Sequence, residues 1–310
     1  MTFTPPATDA GLPPVRRSRG AFPFRLLLGL LLGNLFFCVA VAWRSSRIAR
    51  TLVFPVRKPV QKPEGMESGW RDVSWRTDDG LTIRGWYFPA SNRAALILTH
   101  GFGENRAEKW ELANVFVRKG YGVLLFDWRA HGESDGERVT WGDRERADLT
   151  GALDFLSALP DIDRGRIGIV GFSMGGVVAA EVAAQDLRLA AVVLEGTVPS
   201  VRETIRQDFS KWGWLSRFPA EETIRRSGVN LDATDTVASA ARIAPRPVFV
   251  LHGEIGDVSR EEAGRLFAAT GEPHWLWQVP GAGHGDYHRV AAGEYVRRLS
   301  AFFDAVLPGT

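Results

Sequence analysis

One cysteine in 310 residues, Cys38, leaves nothing with which to build an internal disulfide or a cysteine-rich metal site. It stands inside an apolar run behind Phe37, where a lipoprotein cysteine would want a small residue, so it reads as a small buried hydrophobe. Acids are almost missing from residues 1–62, where Asp9 alone faces ten Lys or Arg, a net charge of +9. The remaining residues carry 28 basic and 35 acidic groups, a net −7, and so lack the clustered basic face that nucleic-acid binding requires. Internal repeats are missing too. What is present is an ordinary globular composition, 45% hydrophobic and 24% charged, enough for one large domain or two small ones.

Charge of either sign is missing from Leu26 to Trp43, LLLGLLLGNLFFCVAVAW, where Asn34 is the one strongly polar residue. As a helix this run spans roughly 27 Å, close to the hydrocarbon thickness of a bilayer. The expectation is a transmembrane anchor over 21–43, behind a proline-bearing disordered tail over 1–20 and ahead of a linker over 44–66. A cleaved signal peptide is the rival, since Arg16, Arg17, Arg19 and Arg25 form a basic leader and Ala40-Val41-Ala42 suits a cleavage site. The apolar run is long for that role. Arginines flank both of its ends, so the positive-inside rule discriminates little. An N-terminal anchor of the usual orientation places the body outside the cytoplasm, and cleavage would make the protein secreted.

From residue 67 onward apolar strands alternate with helical patterns. Strand readings fall at 71–77, 81–88, 94–100, 121–127, 166–172, 189–195, 247–253 and 274–279, separated mainly by helical spacing. Such alternation predicts a mostly parallel sheet covered on both faces. The interval of about 197–243 breaks the rhythm and reads as a small helical cap inserted into the domain over 67–310. Its aromatic residues Phe209, Trp212, Trp214 and Phe218 either line an acyl pocket or pack the cap onto the sheet.

Two serines sit in G-x-S-x-G. Ser173, in GFSMG, ends an apolar strand and opens a helix of small residues, the setting of a nucleophile elbow. Gly171, Gly175 and Gly176 clear the sharp turn, and the helix N-terminus favours a developing oxyanion. Ser134, in GESDG, lies between Glu133 and Asp135 with no helix directly behind it, and reads as a solvated turn. A serine nucleophile needs a base and the base an orienting acid. His284, in the glycine-rich loop after the last strand, is the candidate base, with His288 a lesser one. His100 and His252 end strands and suit structural hydrogen bonding. Asp257 is the favoured acid, followed by Glu254 and Glu195. The loop HGFGENR offers the Phe102 N–H as partner to the Met174 N–H in an oxyanion hole.

Together, HGFGENR, DWRAHGESDG, GFSMGG, HGEIGD and GAGHGD resemble the α/β-hydrolase superfamily, and most closely its membrane-anchored Bem46-like, serine aminopeptidase-like branch, over about residues 67–308. The resemblance implies an α/β-hydrolase fold, an eight-stranded, mostly parallel sheet with a small helical cap. It implies a serine triad, an oxyanion hole, and no cofactor or metal. By that similarity Asp127 and Arg129 are structural supports. Two positions depart from the family pattern: Ala130 stands where glycine is usual, and Asp257 comes one residue late in the acid loop. The expected activity is hydrolysis of carboxylic esters, including lipid or acylglycerol esters, through an acyl-enzyme. Amide or thioester hydrolysis on the same triad, or a non-catalytic scaffold at the membrane, are the alternatives.

Overall fold

A computed structural model describes residues 1–2, 21–256 and 258–308. Nearly all of the expected tail over 1–20, and the candidate acid Asp257, lie outside these described residues. In chain order the elements are α1 (Ala21–Thr51), β1 (Arg71–Arg76), β2 (Thr82–Phe88), β3 (Ala95–Thr99), α2 (Trp110–Arg118), β4 (Gly122–Phe126), α3 (Glu145–Ser157), β5 (Ile167–Phe172), α4 (Met174–Ala183) and β6 (Leu189–Glu195). Then come α5 (Val201–Asp208), α6 (Trp214–Arg226), α7 (Thr236–Ala240), β7 (Val248–Gly253), α8 (Arg260–Thr270), β8 (His274–Val279), α9 (Tyr287–Val290) and α10 (Ala292–Val306).

The eight strands form one sheet in the order β1-β2-β4-β3-β5-β6-β7-β8. Only β2 runs against its neighbours; the other pairings are parallel. The central strands are apolar on both faces because both faces are covered. In β3, Ala95 and Ile97 point into one core and Leu96 and Leu98 into the other. In β5, Ile167 and Ile169 face the first core while Val170 and Phe172 face the second. Helices α3, α4 and α8 supply residues to the first core, and α2 and α10 to the second. Because β3 to β8 run parallel, their carboxyl ends share one edge, where ligand sites of such sheets form.

The interval between β6 and β7 folds into α5, a short 3-10 turn at Ser210–Trp212, α6 and α7. Its apolar side chains form a third cluster with part of α1. Helix α1 does not stop at Trp43 but continues without a break to Thr51. Cys38 is half-buried, and a stripe of Val41, Ser45, Ala49 and Val53 is buried at four-residue spacing. Ala49 and Val53 pack with Ala220 and Ile224 of α6. The Ser46 hydroxyl donates to the Pro219 carbonyl at 3.4 Å. Residues 24–37 of α1, in contrast, are exposed on every side. The first residues expected to be linker are therefore helical and packed.

Candidate active site

Strand β5 drives straight into α4 through Ser173. Ser173 takes φ 53° and ψ −116°, a left-handed conformation that costs a residue bearing a Cβ about 1–3 kcal/mol. The surroundings hold it there. A Cβ on Gly171 would lie 2.7 Å from the Gly175 carbonyl oxygen, and one on Gly176 would lie 1.8 Å from Thr197 Oγ1. The Ser173 N–H donates to the Glu195 carbonyl at 2.8 Å, tying the turn to the end of β6. The result is a hydroxyl lifted above the sheet edge, with the first turn of α4 beneath it.

His284 Nε2 lies 3.1 Å from Ser173 Oγ, although 111 residues separate them. The loop carrying His284 begins at the end of β8. The Gly283 N–H donates to Asp286 Oδ1 at 2.6 Å, and the imidazole lies 5.1 Å, centroid to centroid, from the Phe172 ring. Phe102 and Met174 line the same cleft as Ser173 and His284. Met174 is the first residue of α4, so its N–H has no carbonyl partner inside the helix. The other two candidate acids are otherwise engaged. Glu195 accepts from Lys109 Nζ at 2.9 Å and from the Tyr295 hydroxyl at 3.0 Å, all three buried. Glu254 is exposed and accepts from the Gly281 N–H at 2.9 Å. His288 is exposed on α9.

Ser134 is placed differently from its sequence reading. It is buried rather than solvated, and its hydroxyl is engaged twice, donating to the Asp127 carbonyl at 2.6 Å and accepting from the Arg84 N–H at 2.9 Å. The loop around it is a scaffold. Asp127 accepts from the Arg106 N–H, the Arg106 guanidinium and the Glu133 N–H at 2.7, 3.0 and 2.9 Å. Arg129 pairs with Asp148 and Asp79, and Ala130 takes φ 62°, the conformation for which glycine is the easier residue. Two histidines brace the loop that carries Phe102. His131 Nε2 accepts from the Gly103 N–H at 3.0 Å, and His100 Nε2 accepts from the Trp128 N–H at 3.1 Å. Accepting requires neutral rings, and burial holds both below the ordinary histidine range, His131 at about 4. The sequence pattern does not single out His131. Its HG context resembles that of His100, but only the fold brings the two rings to 5.1 Å.

The cleft above Ser173 has a volume of about 480 Å³. Its apolar wall comes from Val198, Val201 and Ile205 of the cap, Trp141 from the loop before α3, and Leu52 from the end of α1. Trp141 stacks on Phe102 at 5.0 Å and donates its indole N–H to the Leu52 carbonyl at 2.9 Å. Of the four cap aromatics expected either to line the pocket or to pack the cap, Phe209 packs the cap. Trp212, Trp214 and Phe218 are 45%, 74% and 65% exposed and do neither. Among the described residues no group of three or more His, Cys, Asp or Glu is placed to hold a metal.

Residues 94–234 match the family model described as alpha/beta hydrolase fold. Over 252 residues the chain is 32% identical to the uncharacterized protein MT2364 of Mycobacterium tuberculosis, covering 80% of this chain and 83% of that one. The polyketide transferase grgF of a Penicillium species is 40% identical over 172 residues, 53% of this chain and 58% of that one. Among solved structures, the esterase Pf2001 of Pyrococcus furiosus superposes with a TM-score of 0.70 at 24% identity, over 83% of this chain and 98% of that one. Sheet order, elbow and relatives agree: this chain belongs to the α/β-hydrolase superfamily.

Proposed function

We propose that the protein is a serine hydrolase of carboxylic esters, held at the membrane by an uncleaved α1. The observation that carries this reading is the 3.1 Å approach of His284 Nε2 to the Oγ of a strained Ser173 in an apolar cleft. Ser173 attacks the acyl carbonyl while His284 takes its proton and passes it to the leaving alcohol. Asp257 is the proposed orienting acid. The N–H groups of Phe102 and Met174 stabilise the tetrahedral oxyanion, each worth roughly 2.7–4 kcal/mol of barrier. Water then enters by the same base and frees the acid. The chain needs no cofactor for these steps. The esterase name of Pf2001 supports the bond class, and the apolar wall supports an acyl group as the part recognised. Val41, within the candidate cleavage site, is buried against the body, which supports an anchor that stays attached. The orientation proposed for that anchor puts the hydrolase domain outside the cytoplasm.

A second reading has its own support. The same acyl-enzyme can be discharged by an alcohol or thiol in place of water, and the relative named a polyketide transferase favours acyl transfer. Fluorophosphonate labelling tests the activated serine common to both. Ser173→Ala and His284→Ala are expected to abolish labelling and to lower ester turnover by roughly 10⁴-fold or more. Folded Ser134→Ala is expected to keep its labelling. A folded wild type that resists labelling would remove the enzyme reading and promote the scaffold. Product analysis with an added acyl acceptor separates hydrolysis from transfer.

A further inference from the structure

The three aromatic side chains that the pocket does not use belong to the part of the cap that meets α1, which among the described residues is the one helix long and apolar enough to cross a bilayer. Trp212 meets Phe37 of α1 edge-on, with ring centroids 5.1 Å apart. Phe37 is six residues inside the apolar run that ends at Trp43, about 9 Å along the helix at about 1.5 Å per residue. If that run lies in hydrocarbon, the cap cannot stay outside it, because the contact fixes their relative depth. Trp214, the first residue of α6, and Phe218, one helical turn further on, are both exposed as well. No acid occurs from Ala21 to Thr51, or from Phe209 to Ala220. The neighbouring charges are the exposed cations Arg44, Arg47, Lys211 and Arg217. Exposed tryptophan beside apolar surface, rimmed by cations, is the composition that settles at a phospholipid interface.

We infer that the start of α6 and the 3-10 turn before it insert into the same bilayer as α1, and that the catalytic cleft takes its substrate, a long-chain acyl ester, from that bilayer. The inference rests on the ester-hydrolase and anchor readings above and adds the source of the substrate. Its structural basis is proximity at both ends of the cap and of the anchor. Asp208, the last residue of α5, lines the cleft, and Trp212 comes four residues later. On the anchor, Leu52 lines the cleft nine residues after Trp43, about 14 Å along the chain axis. An acyl chain leaving the interface therefore meets walls built by the same two elements that enter the membrane. A freely soluble ester would need neither the exposed aromatics nor a cleft wall supplied by the anchor.

The single native cysteine makes the test direct. In a Cys38→Ser full chain, nitroxides are placed singly through Trp214→Cys and Phe218→Cys. Leu31→Cys serves as the anchor reference and Leu187→Cys, 80% exposed between α4 and β6, as the aqueous reference. In vesicles of phosphatidylcholine and phosphatidylglycerol, oxygen should outcompete a nickel chelate as relaxant at 214 and 218, as at 31. Values at 214 and 218 matching those at 187, with 31 lipid-like, would overturn the insertion. An aqueous value at 31 would overturn the anchor reading and the inference with it. In the second arm, the Trp214→Ser, Phe218→Ser double variant should lose tenfold or more of its rate on long-chain diacylglycerol in vesicles while staying within twofold on soluble p-nitrophenyl butyrate. Equal losses on both substrates would overturn the membrane source. No hydrolysis of either by wild type would sink the esterase reading and its substrate, leaving insertion to be decided by the nitroxides.

Discussion

Ser173 and His131 show how much of this site is set by single residues under constraint. At Gly176 a methyl group would lie 1.8 Å from Thr197 Oγ1 and 2.9 Å from Thr197 Cβ. Gly176→Ala is therefore expected to destabilise the fold by about 1–3 kcal/mol, read as a lower denaturation midpoint. Thr197→Ala in the same chain should recover part of that loss, because the hydroxyl is the nearer atom; additive losses would refute the clash. His131 carries a pH dependence. Burial, with the Arg57 charge adding to it, depresses the ring to about 4 from an ordinary 6.5. The folded state keeps it neutral while the unfolded chain takes up a proton below about 6.5. The unfolded state thus binds more protons between pH 6.5 and 4, and stability falls as pH drops through that window, by up to about 3 kcal/mol. Midpoints measured from pH 7 to 4 should fall less steeply in His131→Gln, with the part due to His100 remaining.

Among the elements, α1 has two halves with different partners. Residues 24–37 are exposed all round, and its second half offers a narrow stripe to the cap. Small residues in that stripe let the helices approach closely. Ala49 is fully buried, so Ala49→Leu is expected to push α6 outward and cost about 1–3 kcal/mol. Limited proteolysis should then cut within the cap sooner than in the parent protein; unchanged cutting would mean the seam has room. Leu52, Trp141 and Phe102 form the contact chain by which such a shift would reach the proposed oxyanion loop.

For the whole molecule, the proposed domain start at residue 67 and the packing of residues 38–57 make different predictions. Val53 donates no side-chain bond, yet it is fully buried and its carbonyl accepts from the Val139 N–H at 2.8 Å. Arg57 donates to the carbonyls of His131 and Gly132 at 3.1 and 3.0 Å. A chain lacking residues 1–36 is expected to fold with its cleft intact in detergent. A chain lacking 1–57 should lose cooperative unfolding or ester turnover, since Ala49, Leu52, Val53 and Arg57 go together. Equal behaviour of the two, by calorimetry and fluorophosphonate labelling, would return residues 44–57 to the role of a linker.

What the chain makes legible by itself is local. Continuous apolar runs announce the central strands, an uncharged run announces α1, and strand, glycine-framed serine and small-residue helix announce the elbow, because each is decided by neighbours within one or two turns of chain. Parallel order followed from the alternation of elements. The rest depended on contacts distant in sequence. Ser134 looked solvated until β2 and Asp127 closed over it. The cap aromatics had no readable destination, because burial of the cap is decided by α1, which meets it 173 residues away at Ser46 and Pro219. The pairing of Ser173 with His284 across 111 residues is likewise a product of parallel strands that end on one edge. Sequence by itself determined which segments become strands, helices and the strained turn, since those are short-range energies. Tertiary structure alone decided which charges are paired, which serine is free to meet a histidine and which apolar faces stay uncovered, since those follow from what the folded chain brings together.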